Sequence, residues 1–232
     1  MSSVANDFKP GKKHLFYIIR TGLYNKVNEH QQLLAGRLLD FGCGSKPYKP
    51  LFKNVTEYIG VDYQSEGHSH VTESIDFFYD GKTLPFPDNS FDSVFSSEVL
   101  EHIFNPEEIF KEINRVMKPG GKILITCPFV WNEHEVPVDY ARYTRFALQH
   151  LFEKNNFKII KVDKAGDFLS VLHQLRIIYF SETFLPKLPI FLQKWSKAIV
   201  ILWLNVWLGF KRKIFPTSMD LYLNNIVIAE KK

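Results

Sequence analysis

Leu38-Leu39-Asp40-Phe41-Gly42-Cys43-Gly44 reads as a buried strand running into a Gly-x-Gly turn, whose two glycines let the backbone bend tightly and approach a ligand. Asp62 closes the next apolar run, Tyr58-Ile59-Gly60-Val61. It lies about 20 residues beyond the turn, where a doubly wound fold places the carboxylate that accepts both hydroxyls of a ribose. A turn and an acid in that relation suit a nucleoside-bearing cofactor. Alone, they fit a nicotinamide dinucleotide as well as S-adenosylmethionine. Against the dinucleotide, the third glycine of G-x-G-x-x-G is missing and Pro47 stands in its place, so no pyrophosphate cradle is expected.

A second chemistry-bearing group lies in the polar, aromatic stretch from Trp131 to Tyr143, after the apolar run Lys122–Cys127. His134 and then Glu135 are the side chains placed to take a proton from an acceptor. Arg142 and Tyr143, with Trp131, suit binding or ordering of that acceptor. Asp139 and Arg142, three apart, can equally pair with each other and only fix the loop. Glu98, Glu101 and His102 follow a different apolar run. His102 either faces the reacting group or is a buried, hydrogen-bonded histidine. His134, Glu135 and Asp139 match no standard helix-borne ligand spacing, so no metal is expected. Cys43 and Cys127 form neither a metal motif nor a disulfide scaffold, and a reducing cytoplasm fits them.

Short apolar runs separated by turns, from RLLDF through EYIGVD, SIDFF, FDSVFS and KILITCP to FKIIKVD, look like strands buried on both faces. Helical patterns between several of them indicate βαβ units and a parallel sheet. A helix is expected after Asn105, with Pro106 at its first position, Glu107 and Glu108 at the positive end of its dipole, and an apolar face of Ile109, Ile113, Val116 and Met117. Another starts at Thr144 and ends at Asn155-Asn156. One or two helices precede the sheet. The expected domain organisation is a helical cap over 1–35, a core of 36–165 with 217–232, and an apolar helical insertion over 166–216.

LLDFGCGSKPY, YIGVDY, YDGKTLPFPDNSFDSVFSSEVLEHI and INRVMKPGGKILITCP together resemble, in order and spacing, the class I S-adenosylmethionine-dependent methyltransferases of the type 11 kind, over about residues 36 to 165. The resemblance implies an α/β, Rossmann-like, doubly wound sheet of seven strands, mostly parallel, with LYLNNIVIAEKK as an antiparallel last strand. It implies S-adenosylmethionine as cofactor, with Asp40, Gly42 and Gly44 flanking the methionine part, Asp62 the ribose, Asp80 and Gly81 the adenine, and Ser96 near the methionine end. A looser similarity links the 131–143 stretch to methyltransferases encoded beside bacterial surface-polysaccharide genes. Methyl transfer from a sulfonium asks the protein mainly to align the acceptor and exclude water. A hydroxyl acceptor also needs a base, whereas an amine must arrive deprotonated.

The expected function is methyl transfer, at O or N, to a small-molecule, sugar or lipid-linked glycan acceptor. The alternatives are a non-catalytic S-adenosylmethionine-binding scaffold and, less well supported, an NAD-dependent oxidoreductase. With 29 Lys and Arg against 25 Asp and Glu, and no long basic run, a nucleic-acid partner is not expected. The apolar run from Ala198 to Phe210 is too short to span a bilayer. With Trp195, Trp203, Trp207 and the lysines around them, the segment 195–213 suits a membrane interface, a lid or a homodimer contact.

Overall fold

Apolar runs too short for helices bury both faces when they join in one sheet whose two sides are covered by helices. In the computed structural model, which describes residues 8–63 and 73–232 apart from the side chains of residues 194 and 195, these runs form seven strands. They are β1 (Gly36–Phe41), β2 (Val55–Tyr63), β3 (Phe77–Tyr79), β4 (Phe91–Ser97), β5 (Met117–Pro128), β6 (Phe157–Ala165) and β7 (Asn224–Lys231). One sheet holds all seven in the order β3-β2-β1-β4-β5-β7-β6. β1 pairs in parallel with β2 and with β4, β2 with β3, and β4 with β5. β7 runs the other way. Lys231, at its end, donates from Nζ to the Met117 carbonyl at the start of β5 (2.7 Å), and the Lys232 amide donates to the Asn156 carbonyl just before β6 (3.1 Å). The antiparallel last strand expected from the sequence thus lies between β5 and β6.

Five α-helices accompany the strands among the described residues: α1 (Tyr17–His30), α2 (Pro106–Val116), α3 (Arg145–Lys154), α4 (Phe168–Ile178) and α5 (Ile190–Ile214). α2 places Pro106 at its first position and buries Ile109, Phe110, Ile113 and Val116. The next strand begins at once, and the Lys118–Gly121 stretch bulges out of it: Phe91 pairs with Met117 but Ser93 with Lys122, and Gly120 has φ +74°. α3 is capped by Thr144, whose hydroxyl accepts from the Ala147 amide at 3.2 Å. Between β1 and β2 the described chain makes only a single 3₁₀ turn, Lys49–Leu51, with Pro50 within it and Pro47 two residues before it.

The chain divides into two compact units, Lys26–Asp163 with Asn225–Lys232, and Met1–Asn25 with Lys164–Asn224. The first holds most of the sheet and a core that includes Phe41, Phe91, Phe110, Phe152 and Phe157. In the second, Asp167 caps α4 by accepting from the Ser170 amide (2.8 Å) and also takes Arg212 of α5 (3.0 Å). Gln174 of α4 accepts from the Ile19 amide (3.3 Å) and donates to the Leu15 carbonyl (3.0 Å). α1 passes through Gly22 without a break, and Gly22 packs against Ala165, where a side chain would stand at ordinary contact distance, 3.7 Å from Ala165 Cβ. α5 buries Ile201, Leu204, Asn205 and Leu208 and exposes Ile199, Trp203, Val206, Phe210 and Ile214. No helix of the described residues is long and apolar enough to cross a membrane.

Candidate active site

Strand order reverses between β1 and β4, and open α/β sheets bind ligands outside the carboxyl ends of the strands at that point. Gly42 and Cys43 turn the chain there by donating their amides to the Val61 carbonyl, at 2.9 and 3.2 Å. Gly42 has φ +71°, and a Cβ on it would lie 2.2 Å from Val99 Cγ2 in the segment after β4. Asp62 accepts from the Gly44 amide through Oδ2 and from the Tyr63 amide through Oδ1, both at 2.8 Å. These two bonds fix the carboxylate at the end of β2, next to the glycine turn.

Asp40 is buried within β1 and accepts from the Tyr58 hydroxyl at 2.5 Å. Burial pushes its carboxyl up to about 7, against the pull of that hydrogen bond. Asp80, after β3, accepts the Thr83 and Lys82 amides at 2.7 and 2.9 Å, and these bonds hold it below the usual carboxylate range. The Tyr63 ring lies 3.1 Å from where a Gly81 side chain would begin, so an exposed aromatic face sits beside the Asp80 turn. Ser96 is buried within β4, opposite Ile125.

On the other side of Val99, the short turn Leu100–His102 and the loop after β5 bring a second group together. His102 Nδ1 lies 2.9 Å from the Val138 carbonyl, which can only accept, so that nitrogen carries the proton and Nε2 is free to accept. His134 Nδ1 lies 3.2 Å from Asp139 Oδ2 and 3.3 Å from the Asn132 carbonyl, which assigns its proton in the same way. The two rings meet edge to face with centroids 4.8 Å apart. His102 Nε2 is 3.7 Å from Glu135 Oε2 and 3.8 Å from Glu101 Oε1, and His134 Nε2 is 3.9 Å from the same Glu101 oxygen. Glu101 is wholly buried with neither carboxyl oxygen hydrogen-bonded. Burial first, then the neighbouring Glu98, raises its pKa well above the usual carboxylate range.

Arg142 grips Asp139 with both arms, Nη1 to Oδ1 at 2.6 Å and Nη2 to Oδ2 at 2.7 Å, and also donates to the carbonyls of Asn132 (2.9 Å), Ala141 (2.8 Å) and Trp131 (3.4 Å). Its hydrogen bonds hold the Asp139 carboxyl down to about 2. Of the two readings open for this pair, the geometry matches the one in which it fixes the loop. Tyr143 packs against the core, is pushed up to about 12 by burial, and offers its carbonyl to Asn225 Nδ2 at 2.8 Å.

The structure therefore gathers Asp40, Gly42, Gly44 and Asp62 at the ends of β1 and β2, and His102, His134 and Glu135 around one point. Sequence reading did not single out Val99, Tyr63 or Tyr58, and it named Glu101 without a role. The one available signal for Glu101 was an acid embedded in Glu98-Val-Leu-Glu-His-Ile, where apolar neighbours foretell burial.

Residues 39–125 match the family model described as a methyltransferase domain. A sterol 24-C-methyltransferase of Gibberella zeae is 35% identical over 99 residues, 37% of this chain and 26% of that protein. A phosphatidylethanolamine N-methyltransferase of Cereibacter sphaeroides is 26% identical over 110 residues, 43% of this chain and 54% of that one. The chain thus spans between about a quarter and about a half of the length of these relatives. Among solved structures, that of the [4+2]-cyclase SpnF superposes with a TM-score of 0.58 at 22% identity, covering 96% of this chain and 85% of that one, which is a likeness of fold. This sheet order, this glycine turn and the family match over residues 39–125 together support a class I S-adenosylmethionine-dependent methyltransferase.

Proposed function

We propose that the protein transfers the methyl group of S-adenosylmethionine to oxygen or nitrogen of a small-molecule, sugar or lipid-linked acceptor. The single observation that carries this reading is the contact of Val99 with Gly42, which sets the polar Glu101–His102–His134 group beside the glycine turn. When bound, the cofactor supplies an already activated methyl group. The protein's own residues bind and align. Asp62 takes the ribose hydroxyls; the Gly42 turn leaves room for the amino-acid part above Asp40; and Tyr63 with Gly81 flanks the adenine, near Asp80. Ser96, buried in β4, lines the strand end beside the methionine part.

His134 is the proton acceptor for a hydroxyl, oriented by Asp139, which Arg142 holds in turn. His102 and Glu135 stand close enough to pass that proton on. Arg142 acts through this loop as a positioning residue, while Trp131 and Tyr143 shape its two ends. For the acceptor class, the names of the relatives point to lipids, a sterol in one and phosphatidylethanolamine in the other. The exposed stripe of α5, with Lys211 and Lys213 at its end, would bring the enzyme to a membrane surface where such acceptors lie.

Calorimetric titration with S-adenosylmethionine and with its demethylated product tests the reading. Saturable binding of both is expected, and Asp62→Ala should weaken it by about 1.5–3 kcal/mol, the worth of a hydrogen bond to a charged group. No binding of either ligand would overturn it. With binding in hand, a methyl-transfer screen over nucleotide sugars, glycolipids and aminophospholipids addresses the acceptor. Binding without turnover on any of them would favour a non-catalytic scaffold.

A further inference from the structure

Glu101 presents a carboxyl group that is wholly inside the protein with no hydrogen-bond partner on either oxygen. Native structures leave few such groups, and one of the standard reasons is a cation that the carboxylate binds. The Nε2 atoms of His102 and His134 stand 3.8 and 3.9 Å from Glu101 Oε1, and the three ligand atoms lie within 4.8 Å of one another. We propose that Glu101, His102 and His134 hold one divalent transition-metal ion at the acceptor end of the active site.

Three features of the geometry converge on this assignment. Ligands placed about 2.1 Å from a tetrahedral ion are about 3.4 Å apart, so each histidine needs to approach Glu101 by only about half an ångström. Both imidazoles already donate Nδ1–H to fixed acceptors, His102 to the Val138 carbonyl and His134 to the Asn132 carbonyl, with Asp139 Oδ2 beside the second at 3.2 Å and accepting the His134 backbone amide. That outer set of acceptors is the arrangement that fixes the tautomer and orientation of metal-bound histidines. Asp139 is itself clamped by Arg142, which extends the support to a third residue. Two imidazoles and one carboxylate select zinc, iron, manganese or nickel over magnesium or calcium, which take oxygen ligands, and they leave positions open.

Sequence spacing did not point to the site because its ligands come from two separate segments, and the trio weighed there was a different one. A second acidic and histidine cluster, Glu29, His30 and Asp163, lacks the decisive feature. Asp163 already accepts from Lys26 at 2.8 Å and lies 3.2 Å from His30, so the cluster is closed by ion pairs.

The proposal deepens the methyltransferase reading by naming the class of acceptor. An ion with an open position beside the glycine turn would seat an acceptor through an oxygen, a hydroxyl, carboxylate or phosphate. Because a His134 or His102 whose Nε2 is on the ion cannot take up a proton there, the proton-accepting role assigned to His134 passes in this arrangement to Glu135, whose Oε2 lies 3.7 Å from His102 Nε2. The function of the ion rests on the methyltransferase reading, but its binding does not, and the two are measured separately.

Metal-free protein is titrated with Zn²⁺ by calorimetry and with Co²⁺ by visible absorption, both without S-adenosylmethionine. The expected result is one ion per chain, with the intense d–d bands of a four- or five-coordinate site. Glu101→Gln, His102→Asn and His134→Asn should each weaken binding by at least about 10-fold, the low end of the effect of even an outer-shell partner. His150→Asn, on the exposed face of α3, is the control and should bind like wild type. Thermal melts separate loss of site from loss of fold, because Zn²⁺ should raise the midpoint of wild type and of His150→Asn but not of a variant that has kept its melt and lost a ligand. No stoichiometric binding, or equal weakening in His150→Asn, overturns the site. S-adenosylmethionine binding in protein that takes up no metal would overturn this inference alone, whereas metal binding without S-adenosylmethionine binding would overturn the methyltransferase reading and leave the site standing.

Discussion

Val99 lies against Gly42 so closely that a methyl group at position 42 would stand 2.2 Å from one Val99 methyl carbon and 2.7 Å from the other. This packing joins the turn after β1 to the segment after β4. Because the glycine turn holds Asp62 through the Gly44 amide and the Val99 segment continues directly into Glu101 and His102, one contact sets the spacing between the two halves of the site.

Gly42→Ala should therefore damage the site twice. A left-handed backbone costs a residue with a Cβ about 1–2 kcal/mol, and the clash with Val99 adds to it. The expected outcome is a lower melting temperature and S-adenosylmethionine binding weakened by more than about 10-fold. Adding Val99→Ala removes the two severe methyl contacts and leaves the Val99 Cβ at 3.0 Å and the backbone strain, so the double variant should recover part of the affinity. Full additivity of the two changes in calorimetry would refute the contact.

Asp40 sets function against stability. Its carboxyl is pushed up to about 7 by burial, whereas an unfolded aspartate titrates near 3.9. A group whose folded pKa is raised stabilises below the unfolded value and loses that contribution as pH rises through the folded one. Between about pH 4 and pH 7 the apo protein should lose on the order of 4 kcal/mol from this residue. Asp40→Asn should flatten that dependence and raise the apo melting temperature at pH 7.5 while weakening S-adenosylmethionine binding. Parallel pH–stability curves for the two proteins would show that the carboxyl is not buried as described.

The sheet was legible because every strand carries its own apolar run and every run became a strand, down to Ile226–Ala229 in the antiparallel last one. The glycine turn and Asp62 were legible for a local reason: a turn and a strand-ending acid announce themselves at fixed spacing. Glu101 was not, because burial without a partner arises from what packs around a residue after folding. Arg142 was legible only as a choice between two roles, since pairing with Asp139 depends on the path of the loop between them.

Asp139 and Arg142 give the loop its own pH dependence, opposite in sign to that of Asp40. The Asp139 carboxyl, held down to about 2 by its hydrogen bonds to Arg142, stabilises above the unfolded value near 3.9 and loses that contribution as pH falls toward 2. The magnitude is on the order of 2.5 kcal/mol. Asp139→Asn should expose the 129–143 loop to proteolysis at neutral pH and lower turnover by misorienting His134, with little change in S-adenosylmethionine affinity. An unchanged digestion pattern would mean that the ion pair does not order the loop.

The outer stripe of α5 makes the last prediction. Ile199, Trp203, Val206, Phe210 and Ile214 recur at helical spacing on the exposed side, with Trp203 and Trp207 stacked at 5.7 Å, while Ile201, Leu204 and Leu208 are buried. A helix apolar on both sides has a second surface to cover, and aromatic residues above a basic end match a bilayer interface. Sedimentation with vesicles of anionic phospholipid should carry the protein down at low salt and release much of it at high salt, since Lys211 and Lys213 add a screened attraction. Trp203→Glu should abolish the binding while leaving the unfolding free energy within about 1 kcal/mol of wild type, because the ring is more than half exposed. If the protein ignored vesicles but ran as a dimer that Trp203→Glu dissociated, the stripe would be the contact between two copies instead.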